Sequence, residues 1–142
     1  LKDRIIIING DITLENLGLS ESDYIQIKND TTTIINCAAK VSHFGRYELY
    51  KKINVDGVQH LINFCKNNSK TLYHMSTTSI AGNSFNESSS DLNIETNIFQ
   101  ENNFFINQNL DNVYTKSKFD AEKLILENAY ISAAKYSLTG TC

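Results

Sequence analysis

Three short apolar runs decide what this chain can fold into. Arg4-Ile-Ile-Ile-Ile-Asn9 is β-branched without polar alternation, Thr32-Thr-Ile-Ile-Asn36 is a second such run, and Thr71-Leu-Tyr-His-Met75 is a third. A run without alternation suits a strand covered on both faces, the environment of a parallel sheet. Stretches of helical period lie between them. Ser20-Glu-Ser-Asp-Tyr24 offers N-cap residues ahead of a short helix with Leu19, Tyr24, Ile25 and Ile27 as its apolar positions. Tyr47 to Asn67 reads as a long helix, since Tyr47, Tyr50, Ile53, Val58, Leu61, Ile62 and Cys65 recur at near-helical spacing. Gly57 inside it costs about 1 kcal/mol against alanine, which predicts close packing against a neighbour. Residues 82–110 read as a polar loop, and a loop that long is usually functional or mobile. Asp111 to Asn128 is a second long helix, and Lys135-Tyr-Ser-Leu138 a further short strand.

Strands alternating with helices argue for an α/β domain with a parallel sheet. Ligands in such sheets bind beyond the carboxyl ends of the strands. The informative residues are therefore Gly10-Asp11, Cys37-Ala-Ala39 and Ser76-Thr-Thr-Ser79, each just after an expected strand.

The rest of the sequence narrows the function classes. The 142 residues suffice for one core, and 41% hydrophobic content excludes a wholly disordered tail. A net charge of −3 argues against nucleic-acid binding through phosphate contacts. No apolar run approaches the roughly 20 residues that span a bilayer, so no membrane role is expected. Cys37, Cys65 and Cys142 are odd in number and widely spaced, which fits a reduced, cytoplasmic setting better than a disulfide framework. His43, His60 and His74 lack metal-ligand spacing and read as structural histidines, so no metal is expected. The absence of proline and the start at Leu1 suggest a fragment.

The strongest local chemical signal is Tyr114-Thr-Lys-Ser-Lys118. Tyr114 and Lys118 stand four apart on an expected helix and share a face. An ammonium close to a phenol lowers its pKa from near 10, which makes tyrosine a usable proton donor near neutral pH. A partly buried tyrosine beside a solvated lysine is the bland alternative for the pair alone. The hydroxyl cluster around Thr77 adds to the signal, because a hydroxyl at a strand end can stabilise negative charge developing on a carbonyl oxygen. Its bland alternative is a turn or helix cap.

Taken together, the sequence resembles the extended short-chain dehydrogenase/reductases. Within them it is similar to the thioester reductase domains that end some nonribosomal peptide synthetases and carboxylic acid reductases. The residues that carry the resemblance run from about Arg4 to Asn128. They are Asn9-Gly-Asp-Ile-Thr13, Leu17-Gly-Leu-Ser20, Asn36-Cys-Ala-Ala-Lys-Val41, His43-Phe-Gly45, Asn54-Val-Asp-Gly57, His74-Met-Ser-Thr-Thr-Ser-Ile80 with Gly82, and Asn112 to Glu122. The Cys-Ala-Ala, His-Phe-Gly and Ser-Thr-Thr-Ser-Ile blocks point to the thioester-reductase branch, whereas Tyr-x-x-x-Lys marks only the superfamily.

The resemblance implies a Rossmann-type doubly wound parallel sheet. It implies that Tyr114 is the catalytic acid, that Lys118 tunes it and hydrogen-bonds the nicotinamide ribose, and that Thr77 orients the carbonyl, with Thr78 as the alternative one residue on. Asp11 and Ile12 match the residues that contact the adenine, Ala38 and Ala39 the small residues that let the cofactor approach, and Asn54 a helix asparagine of structural use. Cys37 reads as packing. The implied cofactor is NADPH, with NADH as alternative, and the implied partner is a phosphopantetheinyl carrier domain bearing the thioester. The implied reaction is reductive release of an aldehyde, in some members reduced further to an alcohol.

The chain departs from the family where the glycine-rich pyrophosphate loop is expected, since no G-x-x-G-x-x-G occurs. In the order 3-2-1-4-5-6, Arg4 to Asn9 would be strand 3 and Thr32 to Asn36 strand 4. The expectation is a partial Rossmann domain over residues 1–142, lacking its first strands and the substrate domain, and unable to bind cofactor alone. Three alternatives stand beside it: a fatty acyl-CoA reductase, a nucleotide-sugar epimerase or dehydratase, and an inactive remnant. Ala81 counts against the sugar branch, where tyrosine often precedes the glycine.

Overall fold

The computed structural model describes residues 4–82, 104–105 and 108–129, and the backbone of a strand at 136–141. Most of the expected 82–110 loop lies outside these residues. Strands β1 (Thr33–Asn36), β2 (Thr71–Thr77) and β3 (Tyr136–Thr141) form one sheet in the order β1-β2-β3, and both pairings are parallel. Parallel neighbours need crossover connections, and helices supply them here. The result is a Rossmann-type α/β arrangement whose order matches strands 4, 5 and 6 of the six-stranded pattern.

Two of the helices begin at capping side chains. Helix α1 (Glu21–Asp30) starts at Ser20, whose Oγ accepts the Asp23 backbone N–H at 3.1 Å. At its other end the buried Lys70 ammonium donates to the Lys28 and Thr31 carbonyls, a cation where the helix dipole favours one. The run from Tyr47 to Asn67 is helical throughout but not uniform. It comprises α2 (Tyr47–Tyr50), a π-helical segment (Lys51–Asp56) and α3 (Gly57–Asn67). Helix α4 (Val113–Ala129) follows Asn112, whose Oδ1 accepts the Thr115 N–H at 2.9 Å. No helix among the described residues is long and apolar enough to cross a membrane.

The core lies between α3, α4 and β2. Val58, Leu61, Ile62, Phe64 and Cys65 of α3 pack with Leu72 of β2, Ala121 and Ile125 of α4, and Leu17. Gly57 has the close neighbour that its place in the helix predicted: a Cβ there would stand 2.9 Å from Cγ1 and Cδ1 of Ile12. Gly18 is needed for a different reason. With φ +61 it sits in the left-handed region, and a Cβ would meet the Asp11 nitrogen at 2.9 Å.

Three expectations fail. Residues 4–9 form no ladder among the described residues, and Ile5, Ile6 and Ile7 are 67%, 73% and 88% exposed. β-branching favours an extended chain, but a strand also needs backbone partners, and the described sheet starts at β1. β1 is likewise not covered on both faces: it lies at the edge of the described sheet, and Ile35 is exposed. Ile25 also faces outward from α1, while Leu19, Tyr24 and Ile27 pack on the core as expected. By contrast β2 outruns its expected end at Met75 and takes in Ser76 and Thr77.

Candidate active site

The segment after β1 and the turn around Asp11 meet in one groove. Asp11, Ile12, Ala38 and Ala39 all line it, with Cys37, Lys40 and Lys52 among their neighbours, in a volume of about 630 Å³. Local structure explains each position. The Asp11 N–H donates to the Leu17 carbonyl at 2.7 Å, across a turn in which Asn16, Leu17 and Gly18 all have positive φ. Asp11 Oδ1 accepts the Thr13 N–H at 2.8 Å, and that bond holds the exposed carboxyl below its ordinary pKa. Asp11 therefore presents an anion to the groove. Ala38 and Ala39 leave the backbone open to a ligand. The groove thus offers a carboxylate for adenine or ribose donors and a side-chain-poor wall, which fits one end of a dinucleotide.

Asn54 ties this groove to α4. It is 1% exposed, accepts the Lys40 N–H at 2.7 Å, and donates to the Lys40 carbonyl at 3.1 Å and to Ser117 Oγ at 2.8 Å. Ser117 Oγ in turn donates to the Tyr114 carbonyl at 2.7 Å. Asn54 belongs to the π-helical segment, and such bulges often re-aim a functional side chain.

The buried side of α4 carries several polar residues. Thr115, Ser117, Lys118 and Glu122 are buried beside Phe119, Ala121 and Ile125. Each buried polar group needs a partner. Lys118, 3% exposed, donates to the Met75 carbonyl at 2.5 Å and lies 3.2 Å from His74 Nε2. Burial pushes its pKa down, against the raising influence of Glu122 and Cys37. Glu122 accepts from Ser76 Oγ, and its pKa is raised by burial. His74 is pushed down to about 3, by burial first and then by Lys118. Asn36 links the groove to this cluster, since it accepts the Ala38 N–H at 3.0 Å and its amide lies 3.0 Å from His74 Nδ1.

Tyr114 is half-buried on α4, and its ring meets His43 edge-on with centroids 6.2 Å apart. A second groove of about 800 Å³ lies along His43, Phe44, Tyr47, Asn112 and Lys116. Thr77 Oγ1 accepts the Ser79 N–H at 3.3 Å and caps the turn Thr78–Ala81, the bland role open to it from sequence. Thr78 is exposed. The structure brings together Asp11, Ile12, Ala38 and Ala39, and it brings Lys118 to β2 two residues before Thr77. No hydrogen bond among the described residues joins Tyr114 to Lys118 or to Thr77. No cluster of three metal-ligating side chains occurs among the described residues.

Sequence reading quoted Asn36 and Glu122 only within the blocks that carry the resemblance, took His74 as a structural histidine, and passed over Lys52. The register that sets Asn36 beside His74 is the signal that would have drawn attention to the pair.

Comparison with known proteins adds the following. The chain matches the family described as male sterility protein over residues 1–134. It is 32% identical over 130 residues to probable polyketide synthase 34 of Dictyostelium discoideum, which covers 89% of this chain and 4% of that protein. It is 35% identical over 85 residues to fatty acyl-CoA reductase 1 of Arabidopsis thaliana, covering 58% of this chain and 17% of that one. Among solved structures, a thiolation-reductase di-domain from an archaeal non-ribosomal peptide synthetase superposes with a TM-score of 0.75 at 28% identity, covering 97% of this chain and 35% of that one. The chain therefore spans only a small part of the relatives it matches.

Proposed function

The chain belongs to the male sterility protein family of the extended short-chain dehydrogenase/reductases, and from that premise we propose that it forms the cofactor-binding and proton-donating part of a thioester reductase. The observation that carries the reading is the convergence of Asp11, Ile12, Ala38 and Ala39 on one groove, with Asn36 and His74 joining Ala38 of its wall to Lys118. NADPH, with NADH as the alternative, supplies the hydride when bound. Asp11 and Ile12 hold the adenine end, and Ala38 and Ala39 admit the cofactor close to the backbone. Tyr114 gives its phenolic proton to the carbonyl oxygen, Lys118 as an ammonium lowers the barrier to that transfer, and Thr77 orients the carbonyl. The resulting hemithioacetal collapses to an aldehyde and a free thiol.

A phosphopantetheinyl carrier domain is the proposed partner. The pairing of a thiolation with a reductase domain in the archaeal relative supports it, as does the similarity to a polyketide synthase. We read residues 1–142 as part of one NAD(P)-binding domain working in the cytoplasm, a setting that suits the free thiols of Cys37 and Cys65. The similarity to the Arabidopsis enzyme favours a second reading, in which the acyl group arrives on coenzyme A. The two separate on substrate. The full protein carrying this chain is given NADPH with one acyl group, either on a carrier domain or on coenzyme A. Faster oxidation with the carrier supports the first reading, and faster oxidation with coenzyme A replaces it with the second.

A further inference from the structure

Asn36, His74 and Lys118 form a buried line with one consistent placement of protons. The Ala38 N–H points at one end of the Asn36 amide from 3.0 Å, so that end is the oxygen. The other end, Nδ2, faces His74 Nδ1 at 3.0 Å and donates to it. An uncharged imidazole that accepts at Nδ1 carries its proton on Nε2. His74 is uncharged at neutral pH because it is buried. Nε2 lies 3.2 Å from Lys118 Nζ. An ammonium has donors only and cannot accept the Nε2 proton. An amine can, while one of its own hydrogens still serves the Met75 carbonyl at 2.5 Å.

We propose that His74, oriented by Asn36, is a positioning residue that keeps Lys118 as an uncharged amine in the cofactor-free protein. Glu122 on the same helix and Cys37 after β1 are the titratable groups that favour the ammonium, and His74 faces the lysine from β2. Glu122 is itself held toward its neutral form by burial, which weakens its pull. The meaning for catalysis rests on the reductase reading. There Lys118 must take one proton from solvent onto its nitrogen lone pair, giving up the His74 contact, before it can act on Tyr114 as a cation.

The test is NMR of the full protein carrying this chain, labelled in lysine and histidine side chains and titrated from about pH 5 to 11. The expected result is an Nε2–H tautomer at His74, and one lysine, absent from Lys118→Arg, that loses its proton well below the others. Asn36→Asp places a carboxylate against Nδ1, draws the ring proton there and frees Nε2 as an acceptor. The Lys118 titration should then rise by about one pH unit or more, tenfold in proton affinity. An Nδ1–H tautomer in the unaltered protein, a Lys118 that titrates with the surface lysines, or no movement in Asn36→Asp would each overturn the proposal. NADPH titration of the same sample separates the two claims. A low-titrating Lys118 in a protein that binds no NADPH would uphold the charge assignment and remove the proposed function.

Discussion

Asn36 and His74 are register partners on parallel strands, and their side chains meet at 3.0 Å in a buried contact that joins the sheet to the site. Backbone pairing sets the register, and the register sets the imidazole beside Lys118. Several expectations about stability and binding depend on contacts of this kind.

His74 makes the fold sensitive to acid. Its folded pKa of about 3 lies below the ordinary 6.5, so its contribution is present above 6.5 and is lost as pH falls through about 3. The loss expected between neutral pH and pH ~4 is on the order of a few kcal/mol. Glu122, whose pKa is raised, acts with the opposite sign, contributing below its ordinary 4.5 and losing that as pH rises. Urea unfolding of His74→Gln against the unaltered protein isolates the histidine. The variant should lose clearly less stability on acidification, and equal slopes would count against the buried neutral imidazole.

Gly57 should tolerate little. A valine there pushes its side chain into Ile12, and overpacking of this kind costs about 1–3 kcal/mol. Ile12→Ala should restore part of the loss, because it removes the atoms the new side chain meets. Thermal melts of the two single variants and the double variant read the coupling directly.

Asn54→Leu removes three hydrogen bonds and leaves the Lys40 amide and the Ser117 hydroxyl without this partner. The expected cost is about 2–4 kcal/mol in urea unfolding. NADPH affinity should fall as well, since Lys40 lines the groove that Asn54 fixes. Unchanged affinity in a folded variant would show that the groove does not depend on this tie.

The sequence made parts of this legible and hid others for physical reasons. The helical run at 47–67 and the cap at Ser20 depend on local chemistry, and they appear within a residue or two of where the pattern predicts. The Gly57 contact was foreseeable in kind, because a buried helix glycine costs too much without a close neighbour, but Ile12 as that neighbour was not. The isoleucines at 5–7 misled because β-branching reports an extended backbone and says nothing about pairing partners. The π-helical segment was invisible, since it leaves the apolar spacing nearly intact. Of the site, the resemblance singled out Asp11, Ile12, Ala38 and Ala39, and these four line one groove. The inward turn of Lys118 toward His74 depends on tertiary packing that no spacing rule encodes.

The measurement closest to the central claim is NADPH oxidation by the full protein carrying this chain, fed a carrier-bound acyl thioester, with Tyr114→Phe as the comparison. Loss of a proton donor costs about 10²–10⁴-fold in rate. The account expects a fall of that size in kcat, with NADPH affinity within about twofold of the unaltered protein, a shift of only ~0.4 kcal/mol. A Tyr114→Phe protein that turns over the thioester at the original rate would contradict it.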